Sequence, residues 1–168
     1  VVDLSCPLPF MELRRRHAAK ALREGVIVEW TNDYSGFWTV LDDNLMQRYG
    51  AHPVHTLGEI NMLASRFPEN ILLCRATLHG ATIAGTVLFV SGATVHVQYI
   101  SASPEGKKIG ALDAIFSYLI SHYSGKKRYF DFGKSTEDMG HYLNEGLIFQ
   151  KEGFGGRGVC YDTYEWRL

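Results

Sequence analysis

The chain has 168 residues, 46% hydrophobic and 21% charged. That is enough for one globular domain burying about two-thirds of its unfolded surface without disulfide or metal staples. A formal net charge of −1 argues against an electrostatic nucleic-acid binder, which carries a basic excess. Cys6, Cys74 and Cys160 stand far apart, without CxxC or Cys/His spacing, which argues against a disulfide framework or a zinc site and fits a reducing cytoplasm.

No segment approaches the roughly 18 apolar residues of a membrane span. The start shows neither a signal-peptide pattern nor an initiator Met, as though cut from a longer chain. We expect a single domain over 1–168, one half of a longer two-domain protein being the alternative. The basic runs Arg14-Arg15-Arg16 and Lys126-Lys127-Arg128 read as a solvated helix face and a strand start, with phosphate contact as the alternative.

In chain order, Phe10, Leu13, His17 and Ala21 predict one apolar stripe on a helix over 10–23, ended by Gly25. His17 there reads as packed or half-buried rather than as a ligand. A short strand follows at 26–30. Trp38, Leu41, Leu45 and Tyr49 predict a second helix over 37–49, stopped by Gly50. Thr56 with Glu59 makes a capping box ahead of Ile60, Leu63, Ala64 and Phe67, and Pro68 closes that third helix.

Three strands are predicted at 71–78, 82–90 and 94–101, joined by His79-Gly80 and Ser91-Gly92 turns, an antiparallel meander. In the last of them Val95, Val97 and Tyr99 alternate with His96, Gln98 and Ile100, so one face offers polar groups to a cleft or to water. Gly106 and Gly110 lead into a helix bearing Ile109, Leu112, Phe116, Leu119 and Tyr123. The aromatic run 128–132 predicts an interior strand, parallel to 94–101 across the helical crossover. A polar loop, Gly133-Lys134-Ser135-Thr136, precedes a helix expected over 137–147, and 159–167 reads as a closing strand. Cys74 and Cys160 lie in strand-like runs and read as small core residues. Gly153, Gly155, Gly156 and Gly158 mark a tight or mobile turn where backbone can approach a ligand.

This order resembles that of the GNAT acyltransferases. The fold expected is α/β (α+β): a mixed, mostly antiparallel sheet flanked by helices, with a splayed parallel strand pair. In that family a glycine-rich turn opens the helix after the fourth strand and holds the pyrophosphate of coenzyme A, as free amides at a helix start suit an anion. The matching segment is Ser101, Ala102, Ser103, Pro104, Glu105, Gly106, Lys107, Lys108, Ile109, Gly110 and Ala111. Of the family pattern only Gly106, Gly110 and Ala111 survive. Lys107 and Lys108 would offset phosphate charge, and Glu105 opposes it.

Downstream, Tyr129-Phe130-Asp131-Phe132-Gly133-Lys134-Ser135-Thr136 and Lys151-Glu152-Gly153-Phe154-Gly155 are similar to the FemAB-like branch of that superfamily, a likeness covering about 95–167. It implies transfer of an acyl or aminoacyl group to an amine: a small molecule, or a cell-wall precursor with aminoacyl-tRNA as donor. Acetyl-CoA or another acyl-CoA is the donor implied by the wider family. The resemblance places Lys151 near the transferred group, Asp131 at the strand end, and Tyr142 on the last helix as a candidate acid for a leaving thiol. The alternative is a degenerate domain that binds a ligand or partner without turnover.

Overall fold

A computed structural model of the chain describes residues 1–160, 162 and 164–166. Its elements are β1 (Val2–Asp3), α1 (Glu12–Arg23), β2 (Ile27–Thr31), α2 (Ser35–Tyr49), α3 (Leu57–Arg66), β3 (Ile71–Leu78), β4 (Ala81–Val90), β5 (Thr94–Ala102), α4 (Pro104–Ile109), α5 (Ala111–Tyr123), β6 (Tyr129–Asp131), β7 (Thr136–Glu137), a 3-10 turn (Asp138–Gly140), β8 (Tyr142–Leu143) and α6 (Glu145–Glu152).

Local chemistry accounts for several of these boundaries. Gly50 ends α2 at φ 61°, its N–H donating to Met46 O. Both halves of the capping box at α3 form: Thr56 Oγ1 accepts from Glu59 N, and Thr56 N donates to Glu59 Oε2 at 2.7 Å. His79 and Gly80 take φ of 50° and 84°, the left-handed pair that tightens the β3–β4 hairpin.

Six strands form one sheet in the order β1-β6-β5-β4-β3-β2. Every pairing is antiparallel except β5 with β6, which run parallel. The sheet is covered on both sides. One core joins Val95, Val97, Phe116, Phe130 and Phe154 beneath α1 and α5; the other joins Phe37, Trp38, Leu41, Ile60 and Val87 beneath α2 and α3. Residues 95 and 97 therefore face α5, and residues 96 and 99 face the α2 side.

Two features of β5 position the site. Its register against β4 shifts between Val87 and Leu88, which pair with Tyr99 and Val97, so Gln98 is an extra residue, a β-bulge. Its parallel pairing with β6 covers only Thr94 to His96, ending at His96↔Asp131. Beyond that point the strands diverge, and among the described residues β5 has no strand neighbour on that edge for residues 97–102.

Several expectations need correction. The chain opens with β1, whose Val2 is fully buried beside β6; two residues carry no periodicity to read. Helix 109–123 is two helices, because Gly110 takes φ 86° between α4 and α5. In place of a helix over 137–147, Asp138, Met139 and Gly140 take positive φ and reverse the chain, giving the β7–β8 hairpin. Asn144 then caps α6 with its side chain on Leu147 N. Of the expected strand 159–167, the described residues form no strand and the remainder lies outside them. Cys160 is exposed, while Cys74 is buried as expected.

Arg14 is not part of a solvated run. Its guanidinium donates to Asp113 at 2.9 Å, with side chains 12% and 9% exposed, and lies over the Phe154 ring. Leu13 is 41% exposed, so the face α1 turns to α5 is set by Arg14, Ala18 and Ala21 instead of Leu13. His17 is half-buried, as read.

Candidate active site

The end of β6 and the polar loop after it converge on β5 where the two strands part. Asp131 Oδ2 accepts from His96 Nδ1 at 2.7 Å, and Asp131 Oδ1 accepts from Gly133 N at 2.9 Å. With Nδ1–H donating to the carboxylate, Nε2 keeps its lone pair as a proton acceptor. His96 is 38% exposed and Asp131 21%, so the carboxylate is sheltered and the imidazole reachable. Burial pushes the Asp131 pKa up, but the His96 and Gly133 hydrogen bonds outweigh it and hold the carboxyl below its usual 3.8. Gly133 sits at φ 74°, and a Cβ there would lie 3.5 Å from the His96 ring and 3.8 Å from Val97 O, so the loop fits closely into the start of the gap.

Lys151, on the last turn of α6, reaches back to this loop. Its ammonium donates to Gly133 O at 3.0 Å, Ser135 Oγ at 2.9 Å and Lys134 O at 2.5 Å. Burial lowers its pKa, and the Asp131 charge partly restores it. An ammonium has three donors, and all three are committed. Three residues on, Phe154 packs against Phe10, Phe116 and Phe132, which fixes the base of this arm in the core.

On the same face of β5, past the bulge, Tyr99 Oη meets His55 Nδ1 at 2.6 Å, and Trp38 packs edge-on to the Tyr99 ring. Sequence reading did not single out His55, because the partners are 44 residues apart and no local spacing links them.

At the far end of β5, the expected anion-binding turn is tightly built. Ser103 caps α4 by accepting from Gly106 N, Pro104 has no N–H, and Lys107 N donates to Ser103 O. That leaves the Glu105 amide as the uncommitted donor of the first turn. A Cβ on Gly106 would lie 2.3 Å from Ile83 O, and one on Gly110 would lie 3.1 Å from His17, so both glycines serve close packing. Ser101 Oγ and Ala102 O are held by Asn44 at 2.7 and 2.8 Å, and Ala102, Ile109 and Ala111 are buried in the core. Lys107 Nζ donates to Asn44 Oδ1 at 2.6 Å. Partial burial, and then the neighbouring Arg48 cation, lower its pKa. An anion set between Lys107 and Arg48 would relieve that repulsion. Lys108 lies elsewhere, its carbonyl accepting from Lys20 Nζ, and it lines a groove of about 690 Å³ with Lys20, Glu24, His79 and Glu105. That groove includes none of His96, Asp131 or Lys151.

The structure thus joins Asp131 and Lys151 with the unpredicted His96. It removes Tyr142 from a helix, placing it on β8, 58% exposed and paired with Glu137. Among the described residues no group of His, Cys, Asp and Glu could hold a metal ion, and no helix is long and apolar enough to cross a membrane.

A mostly antiparallel sheet opened by one diverging parallel pair, with the His96–Asp131 pair at the fork, is an acyltransferase-type α/β fold. Residues 12–142 match the acetyltransferase (GNAT) domain, and the chain belongs to that family. Among solved structures it resembles FemX, with TM-score 0.67 and 14% identity over 87% of this chain and 54% of FemX, about half of that protein's length. It also resembles a possible acetyltransferase from Clostridium difficile 630, with TM-score 0.62 and 9% identity over 85% of this chain and 97% of the other. A third is AAC(6')-Iy in complex with the bisubstrate analog CoA-S-monomethyl-acetylneamine, with TM-score 0.51 and 13% identity over 83% and 98%. No curated protein matches the chain significantly in sequence. Family and fold together support acyltransferase activity in general.

Proposed function

We propose that this domain is an N-acyltransferase that accepts an acyl thioester along the open edge of β5 and passes the acyl group to an amine. The observation that carries the reading is the His96–Asp131 pair at the fork between β5 and β6. An amine must be neutral to attack, and His96 Nε2 is free to take the proton it sheds, while Asp131 holds the ring in the required tautomer. The bulge at Gln98 breaks the β4–β5 ladder beside the gap, where main-chain N–H groups can meet the oxyanion that forms.

The donor best fitting this frame is acyl-CoA, which supplies an activated acyl group on a thioester. Residues 97–102 would hold its extended arm by their unpaired edge. Lys107, Arg48 and the Glu105 amide would hold its phosphates, with Gly106, Lys108 and Gly110 shaping the turn rather than gripping the anion. In this reading Asp131 orients the His96 ring. Tyr142 would approach the site only from the β7–β8 hairpin.

The thinness of that anion site, with one uncommitted amide in the first turn of α4, favours a second reading. In it the donor is an aminoacyl ester such as aminoacyl-tRNA, the acceptor is a cell-wall-precursor amine, and the likeness to FemX extends to chemistry.

Steady-state transfer from acetyl-CoA to a panel of primary amines tests both. His96→Gln and Asp131→Asn should each lower kcat by about 100-fold or more, the usual worth of a positioned base. Full activity in His96→Gln would remove the proposed base. Wild-type transfer from aminoacyl esters alone would decide for the second reading, and no transfer from either donor would leave a ligand-binding domain.

A further inference from the structure

The resemblance that singled out Lys151 puts its ammonium on the reacting group, whereas the geometry commits that ammonium elsewhere. All three of its donors are taken, by Gly133 O, Lys134 O and Ser135 Oγ. Reaching a developing oxyanion would mean breaking one of these bonds. The loop it grips is the one that fixes the proton acceptor, since Gly133 N donates to Asp131 Oδ1 and Asp131 Oδ2 accepts from His96.

We infer that Lys151 is a positioning residue: by clamping the 133–135 loop from α6 it sets the orientation of Asp131, and through Asp131 the tautomer and aim of His96. The inference rests on the proposed role of His96 as base. Its mechanical basis is the arm itself. Gly156 N and Phe154 N both donate to Lys151 O, and Phe154 is fully buried, so the base of the side chain cannot drift. The loop is held at its other end by Asn144 N donating to Ser135 O. Among the described residues Lys151 faces the pair from α6 and acts on Asp131, and opposite His96 on β4 stands the uncharged Phe89.

The test uses Lys151→Met, which keeps an aliphatic stem of similar length and removes the donors, read by imidazole 15N shifts of His96 and by kinetics. The wild type should show one Nδ1–H tautomer. Lys151→Met should show a tautomer mixture, with kcat about tenfold lower and KM for the acyl donor within twofold. Ser135→Ala, which removes one acceptor and leaves the fold's core untouched, should show the same mixture to a smaller extent and serves if Lys151→Met does not fold. A His96 spectrum identical to wild type in Lys151→Met overturns the inference, whether kcat is unchanged or falls 100-fold; the large fall would return Lys151 to direct contact with the transferred group. Because the spectrum needs no substrate, an inactive wild type would sink the proposed function and still leave the clamp measurable.

Discussion

Asp131 lies 35 residues from its imidazole partner, and its ionisation is tied to the stability of the fold. Its carboxyl is held below the usual 3.8. A group whose folded pKa is depressed stabilises the fold above its unfolded value, and that contribution disappears as pH falls through the folded value. Wild type should therefore exceed Asp131→Asn in Tm at pH 6, and the gap should narrow as melts are taken below about pH 4. A gap that stays constant over that range would mean the hydrogen bonds to His96 and Gly133 do not favour the ionised form. At this scale the sequence was only partly legible. Asp131 and Lys151 stood out through a motif, but His96 looked like one polar position in an alternating strand, and Arg48 lay on a helix remote in sequence from Lys107. Arg14 misled for the same reason: its partner Asp113 is 99 residues away, and a run of three arginines read locally as solvent-facing.

Among the elements, the joint between α4 and α5 is the most constrained. Gly110 combines φ 86° with the approach of α1, where a Cβ would crowd His17. Gly110→Ala should cost about 1–2 kcal/mol for the left-handed conformation alone, plus any displacement of α1, measured by urea unfolding. A loss below about 0.5 kcal/mol would mean the joint relaxes freely. Elements with their own punctuation were readable from the chain: the capping box at Thr56, the Gly50 stop and the two hairpin turns all form where the residues placed them. What escaped was structure made by distant partners or by too few residues. β1 exists only because β6 offers it an edge. The hairpin at 136–143 arises from Asp138 and Met139 in left-handed conformations that nothing short of tertiary context favours. Asn144, three residues before Leu147, was a legible helix start that the expected helix over 137–147 passed over.

For the molecule as a whole, the account depends on a sheet that forks. β5 is nine residues long and β6 three, so the parallel pair must part. The two ends of the exposed β5 edge carry different chemistry, the imidazole proposed as base at His96 and a pair of cations at Lys107 and Arg48. That polarity suits a donor with its acyl group at one end and its phosphates at the other. The fork itself was legible in the sequence, since the family order implied a splayed parallel pair; the groups at its two ends, His96 and Arg48, were not. Amide hydrogen exchange with and without saturating coenzyme A measures that polarity most directly. The account predicts slowed exchange confined to residues 97–107 and the 133–135 loop. Protection elsewhere, for instance along the outer face of α1 around Leu13 and Arg16, or none at all, would contradict it.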